Sequence, residues 1–589
     1  MSDGRSELAQ QIAETLIEGF DRHYRLFRQT SAGGKRRFEE ADWPGAQRAV
    51  RERIRFYDER VRECVERLHE ELGAGTLPDD VWQQAKLLYI GLLVEHKRPE
   101  LAETFFNSVV TRILHRTYMH NDFIFVRSAI STEYIESNPP IYWSHYPEES
   151  ELHATFVEVF RAAGWSRPFA DLDRDVGFVL QALLEHLGGR WPAREPNFQV
   201  QVLSSAFYRN KAAFVIGRIV NGHEATPFVI PVLHDAGGQL RLDTVILDPE
   251  EISILFSLSR AYFMVDMDVP SGTIEFLQAI MPAKPRSELY TAVGLGKQGK
   301  TLFYRDLRQH LYHSRDLFVE APGTPGQVMH VFNLPSYPYV FKVIKDVFGP
   351  TKTTDREAVK RKFLMVKEVD RVGRMADAVE FTELALPRER FAPELVEQLE
   401  ALAPSVVEID GESLVLRHCY VERRMTPLNV HLETASDEEI ESAVREYGNA
   451  IRELAIANIF PGDLLWRNFG VTRYGRVVFY DYDEIEFLTE CTFREIPPPP
   501  TPEAELEGEP WYPVGPKDVF PEEFETFLLG NPRVREVFLR HHAELLRPQF
   551  WRECQHRVAD GEIVDFFSYP DSERFSERYA LAVERSPSR

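Results

Sequence analysis

The spacing of the apolar residues changes about halfway along the chain, and this change constrains the fold more than any single motif. Through most of the first three hundred residues, apolar side chains recur three and four positions apart, as in ELAQQIAETLIEGF and AETFFNSVVTRIL. This spacing places them on one face of a helix. Beyond residue 313, short β-branched and aromatic runs alternate with helical segments. Since 589 residues also exceed what one ordinary core can organise, we predict at least two domains.

The first domain is predicted to span residues 1–312 and to be mostly helical. In RAVRERIRFYDERVRECVERLHEEL the charged residues cover the face opposite the apolar stripe, which is typical of a solvated helix. One interval differs, because NFQVQVLSSAFYRNKAAFVIGRIV and ATPFVIPVLHDAGGQLRLDTVIL alternate around turn signals, as strands do. No catalytic motif is evident in this half, and we interpret its charged helices as solvent-facing surfaces.

One stretch of the first half matches a phosphate-binding loop by its letters alone. The run GLGKQGKT, from Gly294 to Thr301, satisfies the pattern G-x-x-x-x-G-K-[ST]. Such a loop needs a strand that enters it and a helix that leaves it, whereas SELYTAV precedes this run within a helical pattern. We therefore interpret it as a solvent-facing basic turn rather than an ATP site. Binding of an acidic partner or a nucleotide effector remains an alternative.

The order of elements after residue 313 is that of a two-lobed protein kinase. Strand, helix and strand patterns come first, and a strong helix follows in SDEEIESAVREYGNAIRELAIANI, where Ser436 and Glu439 have the spacing of a capping box. We predict an α+β fold in which a protein-kinase-like domain, residues 313–589, follows the mostly helical domain. Its small lobe is expected over about 313–424 and its large lobe over about 425–589.

The amino-acid composition disfavours several classes of binding partner and favours one cellular compartment. The formal net charge of −24 disfavours nucleic acid as a partner. Four widely separated cysteines without a CxxC pair disfavour a zinc site or a disulfide framework, and they favour a reducing compartment. The N-terminus lacks the pattern of a signal peptide, and no apolar run approaches the ~18 residues of a membrane span. We predict a cytoplasmic protein that binds neither nucleic acid nor membrane.

A glycine-containing loop and a lysine-bearing strand open the second half. In APGTPGQVMHVF, Gly323 and Gly326 precede Val328 in the order G-x-x-G-x-V, a partial form of the kinase glycine loop. In YVFKVIKD, Lys342 lies in an apolar run, where a lysine must be paired because a lone desolvated ammonium costs several kcal/mol. The alternation of the strand does not by itself choose between Lys342 and Lys345.

In a protein kinase the strand lysine pairs with a glutamate of the following helix. The candidates in this chain are Glu357 and Glu368, and the sequence does not choose between them.

The stretch FPGDLLWRNFG carries the residues that phosphoryl transfer requires. A kinase places a catalytic carboxylate and a metal-binding Asn five positions apart, in H-R-D-x-x-x-x-N, and Asp463 and Asn468 have that spacing. The His-Arg pair is missing. Asp481 ends the strand VVFY, where a kinase has its second Mg²⁺ ligand. The usual D-F-G reads Asp-Tyr-Asp here, so Asp483 replaces the glycine.

At these residues the chain resembles the isocitrate dehydrogenase kinase/phosphatase family, which is bifunctional and bacterial. The resemblance covers nearly the whole chain. The stretches that carry it are APGTPGQVMHVFNLPSYPYVFKVIKDVFGPTK, DRVGRMADAVEF, YVERRMTPLN, FPGDLLWRNFG with VVFYDYDEIE, AETFFNSVV, HNDFIFVR and LDPEEISILFSLSRAYFMVD.

The resemblance implies roles for particular residues. Asp463 would be the kinase base, Asn468 and Asp481 would hold Mg²⁺ or Mn²⁺, and Asp377, in GRMAD, would be a further active-site residue. Tyr420 to Arg424 would form the hinge that contacts adenine. The residues expected to contact ATP or ADP are Ala321, Pro322, Gly323, Thr324, Pro325, Gly326, Gln327, Lys342, Tyr420, Val421 and Glu422.

The resemblance also implies the substrate, a serine of isocitrate dehydrogenase, whose phosphorylation diverts carbon from the citric acid cycle to the glyoxylate bypass. AMP would be an allosteric effector, the first half would be regulatory, and a homodimer is one oligomeric state we consider. No separate phosphatase motif is visible. We therefore hypothesise that one site serves both directions and that Asp483 activates water or binds metal during dephosphorylation.

Two other functions were weighed against this one. A kinase-like phosphotransferase for small molecules would share the motifs, but the large first half without a pocket signature disfavours it. A non-catalytic pseudokinase scaffold is suggested by the missing H-R-D and D-F-G letters. The retained Lys342, Asp463, Asn468 and Asp481 argue against a scaffold.

Overall fold

The computed structural model describes residues 2–114, 123–148, 151–257, 262–323, 325–349, 354–501 and 511–579. The chain divides into two compact units. The first unit comprises Met1–Gln309 together with Phe567–Arg589, and the second comprises His310–Phe566. The second unit is therefore an insertion in the sequence of the first. The sequence had placed the boundary at 312 and had assigned the C-terminus to the second domain.

The first unit combines long helices with one antiparallel sheet. Its sheet has the order β1-β2-β4-β5-β6, with β3 paired to β4. The elements are α1 (Ser2–Glu40), α2 (Trp43–Leu72), α3 (Asp79–Leu93), α4 (Pro99–Leu114), β1 (Tyr142–His145), α5 (Leu152–Ala162), α6 (Leu172–His186), β2 (Gln199–Leu203), β3 (Phe207–Arg209), β4 (Ala212–Asn221), β5 (Glu224–His234), β6 (Leu240–Leu242), α7 (Pro249–Leu255), α8 (Pro270–Ile280), α9 (Arg286–Ala292) and α10 (Gly296–His313). The predicted helical start and the strand-rich interval are both present.

The interpretation of GLGKQGKT as a solvent-facing turn is wrong. Residues from Gly296 onward form the first turns of α10, and Gln298 is only 2% exposed. A Cβ at Gly299 would lie 2.5 Å from the carbonyl oxygen of Ser287 in α9, so the glycine permits close helix packing. Thr301 lies within hydrogen-bond distance of Thr104 in α4, at 3.0 Å. The stretch is thus a packed helix and not a loop of either kind.

The second unit begins with strands and continues with helices, as the sequence predicts. Its elements are β7 (Val319–Glu320), β8 (Met329–Asn333), β9 (Tyr339–Ile344), α11 (Arg356–Val369), β10 (Ala378–Pro387), α12 (Pro393–Leu402), β11 (Val407–Asp410), β12 (Ser413–Arg423), β13 (Thr426–Pro427), α13 (Leu428–Thr434), α14 (Asp437–Ile456), β14 (Ile459–Phe460), β15 (Phe469–Val471), β16 (Val477–Phe479), β17 (Glu486–Phe487), β18 (Thr492–Phe493), β19 (Asp518–Val519), α15 (Glu523–Leu528), α16 (Pro532–His542) and α17 (Pro548–Ala559). A short helix, α18 (Phe575–Arg578), follows in the segment that returns to the first unit.

An antiparallel sheet of order β10-β12-β9-β8-β7 forms the small lobe, and β11 pairs with β12. Helix α14 is the centre of the large lobe and buries apolar residues along its length. The capping box predicted for it is confirmed, since Ser436 and Glu439 each accept a hydrogen bond from the other's backbone N–H. The predicted α+β class, with a helical region before a kinase-like domain, is therefore confirmed.

The structure also shows the state of the cysteines and the length and character of the helices. All four cysteines are buried and free, and burial raises the pKa of each thiol, for example that of Cys491 to about 11. Among the residues that the structure describes, no helix combines the length and the apolar character needed to cross a bilayer.

Candidate active site

Strand β9 presents Lys342 to a buried carboxylate. The Lys342 Nζ lies 2.6 Å from Oε2 of Glu422, and the two side chains are only 10% and 1% exposed. The ammonium also donates to the backbone oxygen of Tyr480 at 3.1 Å and lies 5.2 Å from the centre of that ring. Lys345 is more exposed and donates to the carbonyl of Gly326 instead. The structure thus selects Lys342 as the buried, paired lysine.

The ion pair that the structure shows for Lys342 does not come from the helix where we expected it. Glu422 belongs to β12, next to β9 in the sheet. Of the two helix candidates, Glu357 pairs with Lys360 on the same helix, at 2.9 Å. Glu368 is half-buried near the end of α11.

The glycine loop connects β7 to β8 above this lysine. The N–H of Ala321 donates to the carbonyl of Val331, and Gly323 has a φ of 130°, which a residue with a side chain rarely adopts. A Cβ at Gly326 would lie 2.8 Å from the carbonyl oxygen of Met329. Gly323 thus has a backbone conformation that favours glycine, and Gly326 permits a close approach to the backbone of Met329. Of the other expected contact residues, Pro322, Pro325 and Gln327 are exposed, and Thr324 lies outside the described residues.

The expected hinge is partly strand. Tyr420, Val421 and Glu422 are all buried within β12, which ends at Arg423. The ring of Tyr420 stacks on Phe363 of α11, with centroids 3.7 Å apart. The chain leaves the sheet only at the last residue of the expected connector, so a contact with adenine by the first three residues stays a prediction.

The loop that carries Asp463 follows β14 directly. Oδ1 of Asp463 accepts a hydrogen bond from the N–H of Leu465 at 2.9 Å, and its side chain remains 30% exposed. Its Oδ2 lies 3.9 Å from Arg467. One carboxylate oxygen is therefore fixed by the backbone, while the side chain keeps access to solvent.

A turn of 3₁₀ helix, Trp466–Asn468, brings Asn468 back toward the aspartate. The amide Nδ2 of Asn468 donates to the backbone oxygen of Asp463 at 3.3 Å, and the residue is 5% exposed. Gly462 has a φ of 81°, and a Cβ there would lie 2.4 Å from the carbonyl oxygen of Glu484. Close backbone packing therefore fixes the loop at the position where the protein-kinase motif has His-Arg.

Two aromatic residues that the sequence analysis did not single out hold this loop. The hydroxyl of Tyr447, in α14, donates to the carbonyl of Leu464 at 2.6 Å. The indole N–H of Trp466 donates to the carbonyl of Leu528 at 2.9 Å. The rings of Tyr447 and Trp466 also pack together, with centroids 4.0 Å apart. The only sequence signal for these roles was the position of Tyr447 on the apolar face of its helix.

Tyr480 joins the strand side of the site to the loop side. Its carbonyl accepts from Lys342, as described above, and its N–H donates to the carbonyl of Asn468 at 3.1 Å. Asp481 is the next residue in the chain. Lys342 and Asn468 therefore bond to the carbonyl and the N–H of Tyr480, Asp481 follows Tyr480 in the chain, and the backbone of Asp463 is linked to this segment through the side-chain amide of Asn468.

Asp377 approaches the same segment from another direction. The N–H of Ala376 donates to the carbonyl of Phe479 at 2.8 Å, and the hydroxyl of Tyr482 donates to the carbonyl of Ala376. Asp377 therefore follows a residue whose backbone N–H is bonded to β16, and Asp483 follows a residue whose side-chain hydroxyl is bonded to Ala376. Both are half-buried.

A cluster of charged residues, the buried Arg374 with Glu446 and Glu453, contacts the strand before Asp481. The sequence did not predict it. Arg374 is 3% exposed and binds Glu446 and Glu453, both on α14. It also donates to the carbonyl of Val477 at 3.0 Å. Burial raises the pKa of Glu446, but the attraction of Arg374 outweighs burial and lowers that pKa to about 2. The cluster fastens the segment before Asp377, and β16 before Asp481, to the central helix.

The donor set fits a magnesium-nucleotide rather than a metal bound by protein alone. Within the described part of the chain, no group of three or more His, Cys, Asp and Glu side chains could hold a metal ion. Mg²⁺ prefers oxygen ligands and is commonly held by one or two carboxylates together with substrate phosphates. The amide oxygen of Asn468 and the carboxylate of Asp481 are ligands of that kind.

Comparison with known proteins covers almost the entire chain. Residues 13–315 match the family model described as "Isocitrate dehydrogenase kinase/phosphatase (AceK), regulatory domain", and residues 316–571 match the corresponding kinase domain. The chain is 63% identical over 573 residues to an isocitrate dehydrogenase kinase/phosphatase of Azoarcus sp. strain BH72, with 97% of each chain covered. It is 61% identical over 574 residues to that of Aromatoleum aromaticum, which covers 98% of this chain and 97% of the relative.

Proposed function

The chain belongs to the isocitrate dehydrogenase kinase/phosphatase family, and from this premise we propose that it both phosphorylates and dephosphorylates isocitrate dehydrogenase. The phosphoryl donor is ATP and the acceptor is a serine hydroxyl of the substrate protein. The consequence of this activity is control of carbon flux between the citric acid cycle and the glyoxylate bypass.

The observation that supports catalysis in this chain is the set of contacts centred on Tyr480. The ammonium of Lys342 donates to its carbonyl, its N–H donates to the backbone carbonyl of Asn468, and Asp481 follows it. A scaffold without catalytic function would not need a buried lysine on the backbone segment that leads into a strand-end carboxylate. The chain lacks the His-Arg pair of the kinase motif. Close packing at Gly462 and the hydrogen bond from Tyr447 hold the loop of Asp463 in place instead.

The residues present fit a nucleotide with Mg²⁺ or Mn²⁺. Asn468 and Asp481 would be the oxygen ligands for the metal, Lys342 would be the cation for the phosphates, and the loop that carries Gly323 and Gly326 would approach the phosphate oxygens. When bound, the metal neutralises the negative charge of the phosphates.

In the forward reaction Asp463 is the base. Its Oδ1 is held by the N–H of Leu465, so its other oxygen, Oδ2, can accept the proton of the serine hydroxyl. Half-exposure of this carboxylate is required, because a protein substrate must reach it. Lys342 is held by Glu422 and by the carbonyl of Tyr480, so its ammonium has a defined position before the nucleotide binds.

The reverse reaction requires a group that activates water. Asp377 and Asp483 are the two additional carboxylates attached to the backbone around Asp481, and we assign this role to Asp483 with Asp377 as a further active-site residue. Both directions then share one cleft and one set of metal ligands.

Regulation and assembly are part of the proposal. AMP is the expected effector, the first unit is the expected regulatory part, and the cytoplasm is the expected compartment. The described residues do not assign a binding site for AMP. The oligomeric state, for which a homodimer is one candidate, can be measured directly by light scattering.

The experiment that tests the function combines purified chain, Mg²⁺ and ATP labelled in the γ-phosphate with isocitrate dehydrogenase or with a pool of metabolites. We expect label on a serine of isocitrate dehydrogenase and a matching loss of its dehydrogenase activity. Addition of AMP is expected to shift the balance toward removal of the label.

The alternatives give different results in the same experiment. Label that enters metabolites but not the protein would support a small-molecule phosphotransferase. No transfer to either acceptor, with ATP binding retained, would support a scaffold. The comparisons favour the kinase/phosphatase function over both.

A further inference from the structure

We propose that Glu422 is the positioning residue for the catalytic lysine, and that it takes the part played in other protein kinases by a glutamate of the helix. This inference rests on the proposed function. It adds to the expectation that Glu422 belongs to the nucleotide-binding hinge, because it assigns the carboxylate a partner within the protein.

The register of the sheet places the two side chains on one face. Tyr420 is opposite Lys342, and Glu422 is opposite Val340. Opposite residues of an antiparallel pair share a face, and diagonal neighbours about 7–8 Å apart remain within reach of long side chains. Lys342 and Glu422 are such a diagonal pair, and their observed N–O distance is 2.6 Å.

Because the Lys342–Glu422 ion pair is buried, it strongly restricts the position of the lysine side chain. Glu422 is 1% exposed in its side chain and Lys342 is 10% exposed. Removal of one partner of a buried pair leaves the other charge unpaired, which is far costlier than loss of a surface ion pair. The lysine is therefore held against the sheet whenever Glu422 is ionised.

Helix α11 turns a different face toward this site. Its buried residues are Val359, Phe363 and Val366, and Phe363 stacks on Tyr420. At 100° per residue, Glu357 and Glu368 project roughly 120–140° away from Phe363 around the helix. The helix therefore packs against the site with apolar and aromatic side chains, whereas the sheet supplies the carboxylate.

This arrangement has a consequence for activation. In kinases that use a helix glutamate, displacement of the helix breaks the ion pair. In this chain both partners belong to adjacent strands, β9 and β12, so the lysine stays in position independently of α11. Control by effectors would then act elsewhere, on the loop of Asp463 or on access of the substrate.

The test measures ATP binding and turnover in Glu422→Gln, Lys342→Met and the double variant. For Glu422→Gln we expect a roughly tenfold increase in the Kd for Mg²⁺-ATP, measured by calorimetry, and a lower kcat. The double variant should bind ATP no more weakly than Lys342→Met alone, because the two residues act through one interaction. Glu422→Asp, which keeps the charge with a shorter reach, should recover part of the loss.

The matched control is Glu357→Gln, which removes a carboxylate that is already engaged with Lys360 at the surface. We expect its ATP affinity and kcat to equal those of the unmodified chain. Thermal unfolding without nucleotide reports whether each variant is folded. If Glu422→Gln does not fold, Glu422→Asp provides the measurement, with an expected increase in Kd of about threefold.

Two results would overturn the inference. One is an unchanged Kd and kcat in folded Glu422→Gln or Glu422→Asp. The other is a loss in Glu368→Gln that equals the loss in Lys342→Met, which would return the role to the helix. ATP binding is measured without isocitrate dehydrogenase, so failure of the unmodified chain to phosphorylate that protein would refute the proposed function alone.

Discussion

Two stretches of this chain show opposite relations between motif and structure. Gly294 to Thr301 satisfies every letter of a phosphate-binding loop, yet it leads into the helix α10 and packs against α4 and α9. Asp463 to Asn468 lacks half of the kinase motif that should precede it, yet its last residue accepts a hydrogen bond from Tyr480, whose carbonyl binds Lys342.

The two stretches differ in their hydrogen bonding, because their backbone groups have different partners. In the first stretch the N–H of Gly299 already donates to the carbonyl of Leu295 within the helix, so it is not available to a phosphate. In the second stretch the backbone bonds are made to side chains and neighbouring loops, through Asp463 and Tyr447. Whether a loop can bind a phosphate therefore depends on the hydrogen-bond partners of its backbone groups. A sequence motif indicates those partners only indirectly.

The largest expected effect comes from the second stretch. Asp463→Ala should lower the kinase rate on isocitrate dehydrogenase by roughly 10³-fold, the range for loss of a general base, while the Kd for ATP stays close to that of the unmodified chain. Initial rates with labelled ATP and calorimetry measure the two quantities. A kinase rate equal to that of the unmodified chain would falsify the role of Asp463.

The first stretch supplies the control. Lys300→Ala removes the lysine that a phosphate-binding loop would use, and we expect less than a twofold change in ATP affinity and in kinase rate. A large loss of ATP affinity in this variant would show that the motif in α10 does bind nucleotide and would reverse the comparison.

We expect the stability contributions of two carboxylates, Glu100 in the first unit and Glu446 in the second, to change in opposite directions as the pH rises. Burial raises the pKa of Glu100, which lies in α4 and accepts a hydrogen bond from Tyr290 of α9, to about 7 from an ordinary value of 4.5. Its contribution to stability is complete below pH 4.5 and is lost as the pH rises through about 7. Glu446 has its pKa lowered to about 2 from 4.5, so its contribution is present above pH 4.5 and is lost as the pH falls toward 2. Each shift corresponds to about 3 kcal/mol.

Variants without the ionisable group measure these contributions. Glu100→Gln should gain stability relative to the unmodified chain as the pH rises from 5 to 8, as seen in urea-unfolding midpoints. Glu446→Gln should be less stable than the unmodified chain at pH 7, with a smaller difference at pH 3. The same direction of change in both variants would contradict the assigned surroundings of the two carboxylates.

Glycine substitutions separate packing from function in the two stretches. Gly299→Ala places a methyl group against the carbonyl of Ser287 and should lower the free energy of unfolding by about 1–3 kcal/mol without a change in ATP affinity. Gly462→Ala meets the carbonyl of Glu484 at a positive φ and should lower both stability and kinase rate. Equal kinase rates in the two variants would show that the position of Gly462 does not determine the catalytic loop.

A further effect that we expect is a difference between the two directions of the reaction. Asp483→Ala should reduce the phosphatase rate roughly tenfold more than the kinase rate, because only the reverse reaction requires an activated water. Release of labelled phosphate from phosphorylated isocitrate dehydrogenase measures the phosphatase rate. Glu484→Gln, at an exposed neighbouring residue, is the matched control, and equal losses in both directions would eliminate the specific role of Asp483.

Much of the fold followed from local patterns. The capping box at Ser436 and the apolar strand around Lys342 are properties of neighbouring residues, and each was predicted where the structure has it. The run from Gly294 to Thr301 was misinterpreted as a turn, because its helix is stabilised by packing on α4 and α9 rather than by its own letters.

The sequence by itself determined the class of fold, the order of the elements and the identities of the acidic and amide residues proposed for catalysis, because these depend on spacing along the chain. Only the tertiary structure decided that Lys342 pairs with Glu422, that Arg374 anchors the segment before Asp377 to α14, and that Tyr480 joins the two sides of the site. These contacts join residues that lie from 72 to 138 positions apart. Such partners are set by sheet register and burial, which no local pattern encodes.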